Sequence, residues 1–366
     1  RDENGELREA SWPEALHLAA AGLEANRVAV LVGGRVTVED AYGYAKFARV
    51  ALGTNDIDFR ARPHSEEERS FLSSIVVGSQ VTYRDIDRAD RVVLLGFEPE
   101  EESPIVFLRI HKQVRKRGLK VQSVAPFASR GSRKLKAEII KSAPGNEASA
   151  ISTLSGLTSK SVILVGERLA ESSGALSAAA KLASSTDAKL AWIPRRAGER
   201  GALEAGALGT LLPGGRPVTD PQARVDVQAA WGVDSLPQSV GRDTDAILKD
   251  LHDGKIEALL VGGVDPLDIS AHLHDGLKKA FVVSLEIRKS ALTEVANVVL
   301  PVAAVVEKSG SFVNWEGRAR SFDTSITDSL TRSDLRILSM LADQMGTPIN
   351  LPTVAAAASE FAANAE

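Results

Sequence analysis

Few side chains in this 366-residue chain are placed to do chemistry. Cysteine is absent, which excludes disulfides, thiolate zinc sites, a cysteine nucleophile and cysteine-ligated iron–sulfur clusters within these residues. Of six histidines only His272 and His274 lie close together, in Ser270-Ala271-His272-Leu273-His274-Asp275. A His-x-His pair can hold a metal from one face of a strand, but this stretch reads as a loop entering a helix, so a solvated helix start is the stronger reading. Three glycine or proline turns end apolar runs: Gly96-Phe97-Glu98-Pro99, Pro126 after Val124-Ala125, and Gly262-Gly263-Val264-Asp265-Pro266. In open α/β sheets ligands bind beyond the carboxyl ends of strands, where backbone N–H groups and helix N-termini attract phosphate. Taken singly, each is more simply a tight strand-to-helix turn that needs its glycine. Residues 109–141 hold eleven Lys or Arg and one acid, Glu138, just after the acidic stretch 98–102. That run is either a solvated face or a docking surface for an acidic partner.

The elements that must position these groups are legible from hydrophobic period. Strands are expected at 28–32, 92–95, 121–124, 162–165, 190–193, 258–261, 281–285 and 298–300. Most are continuously apolar, as strands buried on both faces of a parallel sheet are. Between them lie helical patterns. Ser11-Trp12-Pro13-Glu14 offers an N-cap, a first-turn proline and a capping-box acid. Thr37-Val38-Glu39-Asp40 opens the next helix, with Ala41, Ala45, Phe47, Ala48 and Leu52 as its apolar stripe. Further helices are expected at 104–117, 167–184, 221–231, 243–252, 271–280 and 334–345. Alternation of this kind means βαβ units and doubly wound α/β layers. Residues 194–217, with four Arg, six Gly and three Pro, read as a long irregular stretch. The Ala-rich 355–363 reads as a surface helix or fraying end.

The length is more than one core usually serves, so two domains are expected. A net charge of −4 and the lack of regularly interleaved aromatics argue against nucleic acid. No signal peptide is visible at Arg1-Asp2-Glu3-Asn4-Gly5-Glu6, and the missing initiator methionine suggests a piece of a longer chain. The longest nearly apolar run, 298–306, is too short to span a bilayer and contains Pro301, so no direct membrane insertion is expected.

Taken in order, the motifs resemble the molybdopterin oxidoreductase family. The resemblance begins at Ser11-Trp12-Pro13-Glu14-Ala15-Leu16 and continues through Tyr44-Ala45-Lys46-Phe47-Ala48-Arg49 and Leu52-Gly53-Thr54-Asn55-Asp56-Ile57-Asp58-Phe59-Arg60-Ala61-Arg62. It runs on through Ile86-Asp87-Arg88-Ala89-Asp90, the turn at Gly96, and Asp265-Pro266-Leu267. It closes with Val299-Leu300-Pro301, Glu307-Lys308-Ser309-Gly310-Ser311-Phe312-Val313-Asn314 and Glu316-Gly317-Arg318. Within the family, Pro194-Arg195-Arg196-Ala197-Gly198-Glu199-Arg200-Gly201-Ala202 and Leu212-Pro213-Gly214-Gly215-Arg216-Pro217 look like the large iron–sulfur subunits of bacterial NADH-quinone oxidoreductases (respiratory complex I). The region Ala229-Ala230-Trp231-Gly232-Val233 resembles the formate-dehydrogenase branch as well.

The departures bear on mechanism. Catalytic relatives place a cysteine or selenocysteine molybdenum ligand where this chain has Arg62-Pro63-His64-Ser65. They usually carry an acid and an arginine at the strand end that reads Ala125-Pro126-Phe127 here, and an acid where Asn297 stands. An acid at such a strand end can hold a ribose hydroxyl, and alanine cannot. The resemblance therefore implies two doubly wound parallel-sheet α/β domains of the formate dehydrogenase-like type: a discontinuous one from 1–65 and 197–345, an inserted Rossmann-like one from 66–196, and a C-terminal helix or tail at 346–366. It implies no catalytic residue, no metal ligand and no bound cofactor in this chain. A vestigial pterin cleft would comprise Gly53, Asn55, Gly96, Pro99, Gly262, Asp265, Pro266, Glu307, Gly310, Asn314 and Arg318. Glu307 and Arg318 are expected to find partners within the chain, above a cleft filled by side chains such as those of the 195–200 loop. The resemblance further implies a structural or assembly role, iron–sulfur clusters in a missing N-terminal part, other peripheral-arm subunits as partners, and a peripheral place on the cytoplasmic side of the bacterial inner membrane. Its rivals are an active molybdopterin enzyme of the formate dehydrogenase or nitrate reductase type, and a module that uses the vestigial cleft to hold a partner.

Overall fold

The computed structural model describes residues 1, 5–265, 269 and 274–365. The chain divides into two compact units: Arg1–Arg62 with Ala197–Val313 and Ala319–Glu366, and Pro63–Arg196 with Asn314–Arg318.

The first unit is built on a parallel sheet of β1 (Val28–Val32), β2 (Ile57–Asp58), β10 (Ala258–Gly262), β11 (Phe281–Glu286) and β12 (Val298–Pro301), in the order β12-β11-β10-β1-β2. Two antiparallel pairs accompany it, β8 (Leu211–Leu212) with β9 (Arg216–Pro217) and β13 (Gly310–Val313) with β14 (Ala319–Phe322). Its central strands β1 and β10 are continuously apolar and buried along their whole length, as strands covered on both faces are. One face packs Ala29, Leu31, Leu259, Val261 and Val282 against Ile247, Leu251 and Leu292. Helix Trp12–Glu24 packs along β10–β12, so closely that a Cβ at Gly22 would lie 2.1 Å from the Phe281 ring. Leu260, in register with Val30, is fully buried, as sequence period required. Leu260→Ala should lose roughly 2–4 kcal/mol in urea unfolding; a loss no larger than that of a surface substitution would contradict this packing.

The expected capping box at Ser11 forms only in half: Ser11 Oγ accepts from Glu14 N at 3.4 Å, while the Glu14 carboxylate pairs with Arg8. Helix Val38–Val50 departs further from expectation. It carries no solvated face; Glu39, Asp40, Lys46 and Arg49 are buried with its alanines and tyrosines. The stretch 346–366 ends in the expected C-terminal helix, exposed along Ala355, Ser359, Ala362 and Ala363. Helix Val354–Ala365 belongs to the first unit and packs on Val38–Val50, where Glu360 receives hydrogen bonds from Tyr42 Oη (2.8 Å) and Lys46 Nζ (2.7 Å). The stretch 194–217 is not irregular: it folds into helix Glu199–Glu204 and the β8–β9 pair, with Glu199 and Arg200 buried.

The second unit is a five-stranded parallel sheet of β3 (Arg91–Leu95), β4 (Lys120–Ala125), β5 (Glu138–Lys141), β6 (Val162–Gly166) and β7 (Lys189–Ile193), in the order β5-β4-β3-β6-β7. Val93 and Ile163 are buried as expected. The edge strand β5 escaped sequence reading because charged Glu138 and Lys141 bracket a two-residue apolar run. The expected helix at 167–184 is broken, because Gly174 adopts a left-handed φ of +76° between a 3-10 turn, Glu167–Glu171, and helix Ala175–Thr186. The first turn at 271–273 lies outside the described residues; helix His274–Leu277 follows. Among the described residues no helix is long and apolar enough to cross a membrane.

Candidate functional site

In a doubly wound sheet a ligand crevice opens where the winding reverses, beyond the carboxyl ends of two adjacent strands. In the second unit those strands are β3 and β6. Each ends in glycine. Gly96 turns the chain with φ +58°, and a Cβ there would lie 2.6 Å from Leu169 N. A Cβ at Gly166 would lie 2.4 Å from Gly96 O. The glycines thus let backbone meet backbone, and the 3-10 turn carrying buried Leu169 and Ala170 lies over the reversal point.

The charged groups around this edge bond to one another. Glu102, only 5% exposed, accepts from Arg168 at 2.6 Å and from Glu98 N at 2.9 Å, with Arg195 at 4.0 Å. Burial lifts its carboxyl above the usual range. Glu167 pairs with Arg195 at 3.3 Å and Arg196 at 2.9 Å. Pro99 is buried in the first turn of the short helix Pro99–Glu102, whose cap is Glu98. Beyond β4 the chain passes through Ala125 to Phe127, which is 70% exposed.

In the first unit the winding reverses between β1 and β10, and the same device recurs. Gly33 N donates to Gly262 O at 2.7 Å, and a Cβ at Gly33 would lie 2.3 Å from Gly263 O. A Cβ at Gly262 would strike Tyr44 Oη at 2.0 Å. Tyr44 donates to Asp334 (2.8 Å), and Lys308 lies between Asp334 (2.9 Å) and Asp40 (2.6 Å). Burial and the adjacent carboxylate hold the Tyr44 phenol well above its ordinary range. Glu39 accepts from Ser311 N (2.8 Å) and Ser311 Oγ (2.6 Å), which is why Gly310 has no room for a side chain: its Cβ would lie 2.8 Å from Thr37 Cγ2. Asn55 accepts from Arg49 and donates to the carbonyls of Pro237 (3.0 Å) and Ser239 (2.8 Å). Gly53 makes a left-handed turn, φ +63°, with open space beside it. Asn297 accepts from Val282 N at 2.8 Å, so its side chain ties down the edge strand. Asp265 is partly buried, and Pro266 lies outside the described residues, as does His272.

Glu307 and Arg318 do find partners within the chain, but at the surface. Glu307 caps a turn by accepting from Ala304 N at 2.8 Å, which holds its carboxyl below the usual range. Arg318 is 56% exposed, with Glu316 at 3.7 Å. The buried acid is Glu316, which accepts from Tyr83 N (2.7 Å) and Asn314 Nδ2 (3.1 Å) in the second unit, beside Trp315 in that unit's core. Arg195 and Arg196 engage Glu167 in that unit. Sequence reading missed Glu102, Glu167, Asp40, Lys308 and Asp334. The one available signal was Asp40 standing a helical turn before Tyr44, among alanines.

The residues present do not fit a thiolate-held metal. The chain has no cysteine, and Ser65 Oγ serves as a helix cap, accepting from Glu68 N at 3.2 Å. No group of three or more His, Cys, Asp or Glu is placed to hold a metal among the described residues.

The model of the molybdopterin oxidoreductase family matches residues 1–344. The chain is 53% identical over 379 residues to the NADH-quinone oxidoreductase G-subunit of Mycobacterium tuberculosis, a match covering 99% of this chain and 47% of that protein. It is 50% identical over 393 residues to the corresponding protein of Streptomyces coelicolor, covering 96% and 47% respectively. The chain therefore spans about half the length of these curated relatives. Among solved structures, acetylene hydratase from Pelobacter acetylenicus superposes with a TM-score of 0.57 at 12% identity, over 94% of this chain and 60% of that one, a likeness of fold alone.

Proposed function

The chain belongs to the molybdopterin oxidoreductase family, and from that premise we propose that it is a non-catalytic structural and assembly region of the large subunit of a respiratory NADH-quinone oxidoreductase. The observation that carries this reading is the close packing at both winding reversals. At each winding reversal a glycine brings backbone onto backbone, and the charged groups nearby are bonded to one another. A catalytic relative needs such an edge open to a dinucleotide and needs a soft ligand for the metal. The identity to NADH-quinone oxidoreductase subunits from two genera supports the same assignment. The remainder of such a subunit would carry cysteine-ligated iron–sulfur clusters that pass electrons from NADH toward quinone, and this chain would brace it. Its partners would be the other peripheral-arm subunits, on the cytoplasmic side of the bacterial inner membrane.

The test is elemental and pterin analysis of the purified chain, paired with affinity purification of the tagged subunit from its own cells. The expected result is no stoichiometric molybdenum, tungsten or iron in this chain, with the other peripheral-arm subunits recovered alongside the tagged protein. Stoichiometric molybdenum together with a fluorescent oxidised pterin would establish the active-enzyme alternative instead.

A further inference from the structure

Helix Pro104–Arg117 of the second unit turns one face inward, with Val106, Phe107, Ile110 and Val114 in the core. Its outward stripe is unusual. Ile105 and Leu108 are each 56% exposed, and Lys112, Arg115 and Lys116 follow them at helical spacing, also exposed. His111 lies beside the stripe, its ring stacked on Phe107 at 5.6 Å.

The helix dipole accounts for only part of this. Cations in a last turn interact favourably with the macrodipole, equivalent to about half a negative charge. Arg109 is neutralised by Asp87, and Arg117 is held by Gln113 Oε1 and Asp87 O. Lys112, Arg115 and Lys116 have no ion-pair partner among the described residues, and half a charge does not balance three. Nor does a solvated charge run explain two large aliphatic side chains exposed on the same stripe.

We propose that this stripe docks an acidic amphipathic helix of another protein chain. Ile105 and Leu108 take its apolar anchors, and Lys112, Arg115 and Lys116 take carboxylates about 10 Å further along, two turns at 1.5 Å per residue. The surface follows from these residues alone; only the identification of the partner as a neighbouring subunit rests on the function proposed above.

A photoreactive residue replacing Leu108 in the tagged full-length subunit, irradiated within the purified complex, tests this directly. The expected product is a cross-link to one segment of another subunit that carries an excess of Asp and Glu and at least one aliphatic side chain near the linked position. The paired variant Lys112→Glu/Arg115→Glu should weaken retention of that subunit about tenfold, more at low salt than at high, because reversal turns two attractions into repulsions. Its melting temperature should fall by only a few degrees, since both side chains are exposed and only the favourable interaction with the helix dipole is lost. A cross-link only to lipid would assign the stripe to an anionic membrane and overturn the proposal. A cross-link to a segment without acidic excess, or none from an intact complex, would overturn it as well while leaving the subunit assignment standing. Failure of the unsubstituted chain to co-purify with any peripheral-arm subunit would instead remove the functional reading.

Discussion

Replacing Lys308 with methionine is expected to destabilise the first unit by roughly 3–5 kcal/mol near neutral pH, the range for a buried charge stripped of its partner. Lys308 is nearly buried between Asp40 and Asp334. Burial alone would lower its ammonium, but the two carboxylates together lift it well above the ordinary lysine range. A raised base contributes stability that is fully present below the unfolded lysine value and lost only as pH climbs past the folded one. The parent's lysine contribution is therefore flat through neutrality. Asp40 behaves in the opposite sense. Burial lifts its carboxyl above the usual range, so its ionisation increasingly opposes folding as pH rises. Without Lys308 two carboxylates share one buried site, and at least one must move further up. The deficit should then be largest at about pH 7.5 and shrink toward about pH 5, as one carboxyl takes up a proton. Urea unfolding of parent and variant at the two pH values measures this. An equal deficit at both would show that the cluster is not held by charge.

Arg49→Ala should be comparably severe. The guanidinium is buried and donates to Asn55 Oδ1 (2.9 Å) and to the carbonyls of Ala45 (3.0 Å), Gly206 (3.0 Å), Leu208 (3.4 Å) and Leu211 (2.6 Å). Burial pushes it down to about 9, still protonated at neutral pH. Truncation leaves buried carbonyls without a donor and opens a cavity, together about 3–5 kcal/mol. Arg49→Lys should recover little, because an ammonium cannot fork to four carbonyls from one stem. A lysine variant with the parent's unfolding midpoint would show that the charge alone matters, and the planar geometry does not.

These two clusters also mark where sequence reading stopped. The eight apolar strand runs were legible because a strand buried on both faces leaves a local signature, and each lies within an observed strand. The short pieces were not. Ile57–Asp58 and Glu138–Lys141 join their sheets by pairing with neighbours, with little apolar content of their own. Helix Val38–Val50 reads as amphipathic because its charged residues look like a solvated face, yet three other helices and the strand Gly310–Val313 pack on it. The family resemblance implied Glu307 and Arg318 as cleft groups; the structure leaves both at the surface and buries Glu316.

By itself the sequence determined the α/β alternation, the apolar strands, the capped helix starts, the absence of thiol chemistry and, through ordered motifs, the family. Each depends on residues near one another in the chain or on composition. Only the tertiary structure decided what the glycines and charges are for. Gly33, Gly96 and Gly166 could have admitted a ligand or a neighbouring backbone, and which one depends on strands brought together from far along the chain. Lys308 meets Asp40 across 268 residues. Hydrophobic period is a local property of a chain, whereas the partner of a buried charge is chosen by how the layers pack, because an unpaired charge is too costly to bury.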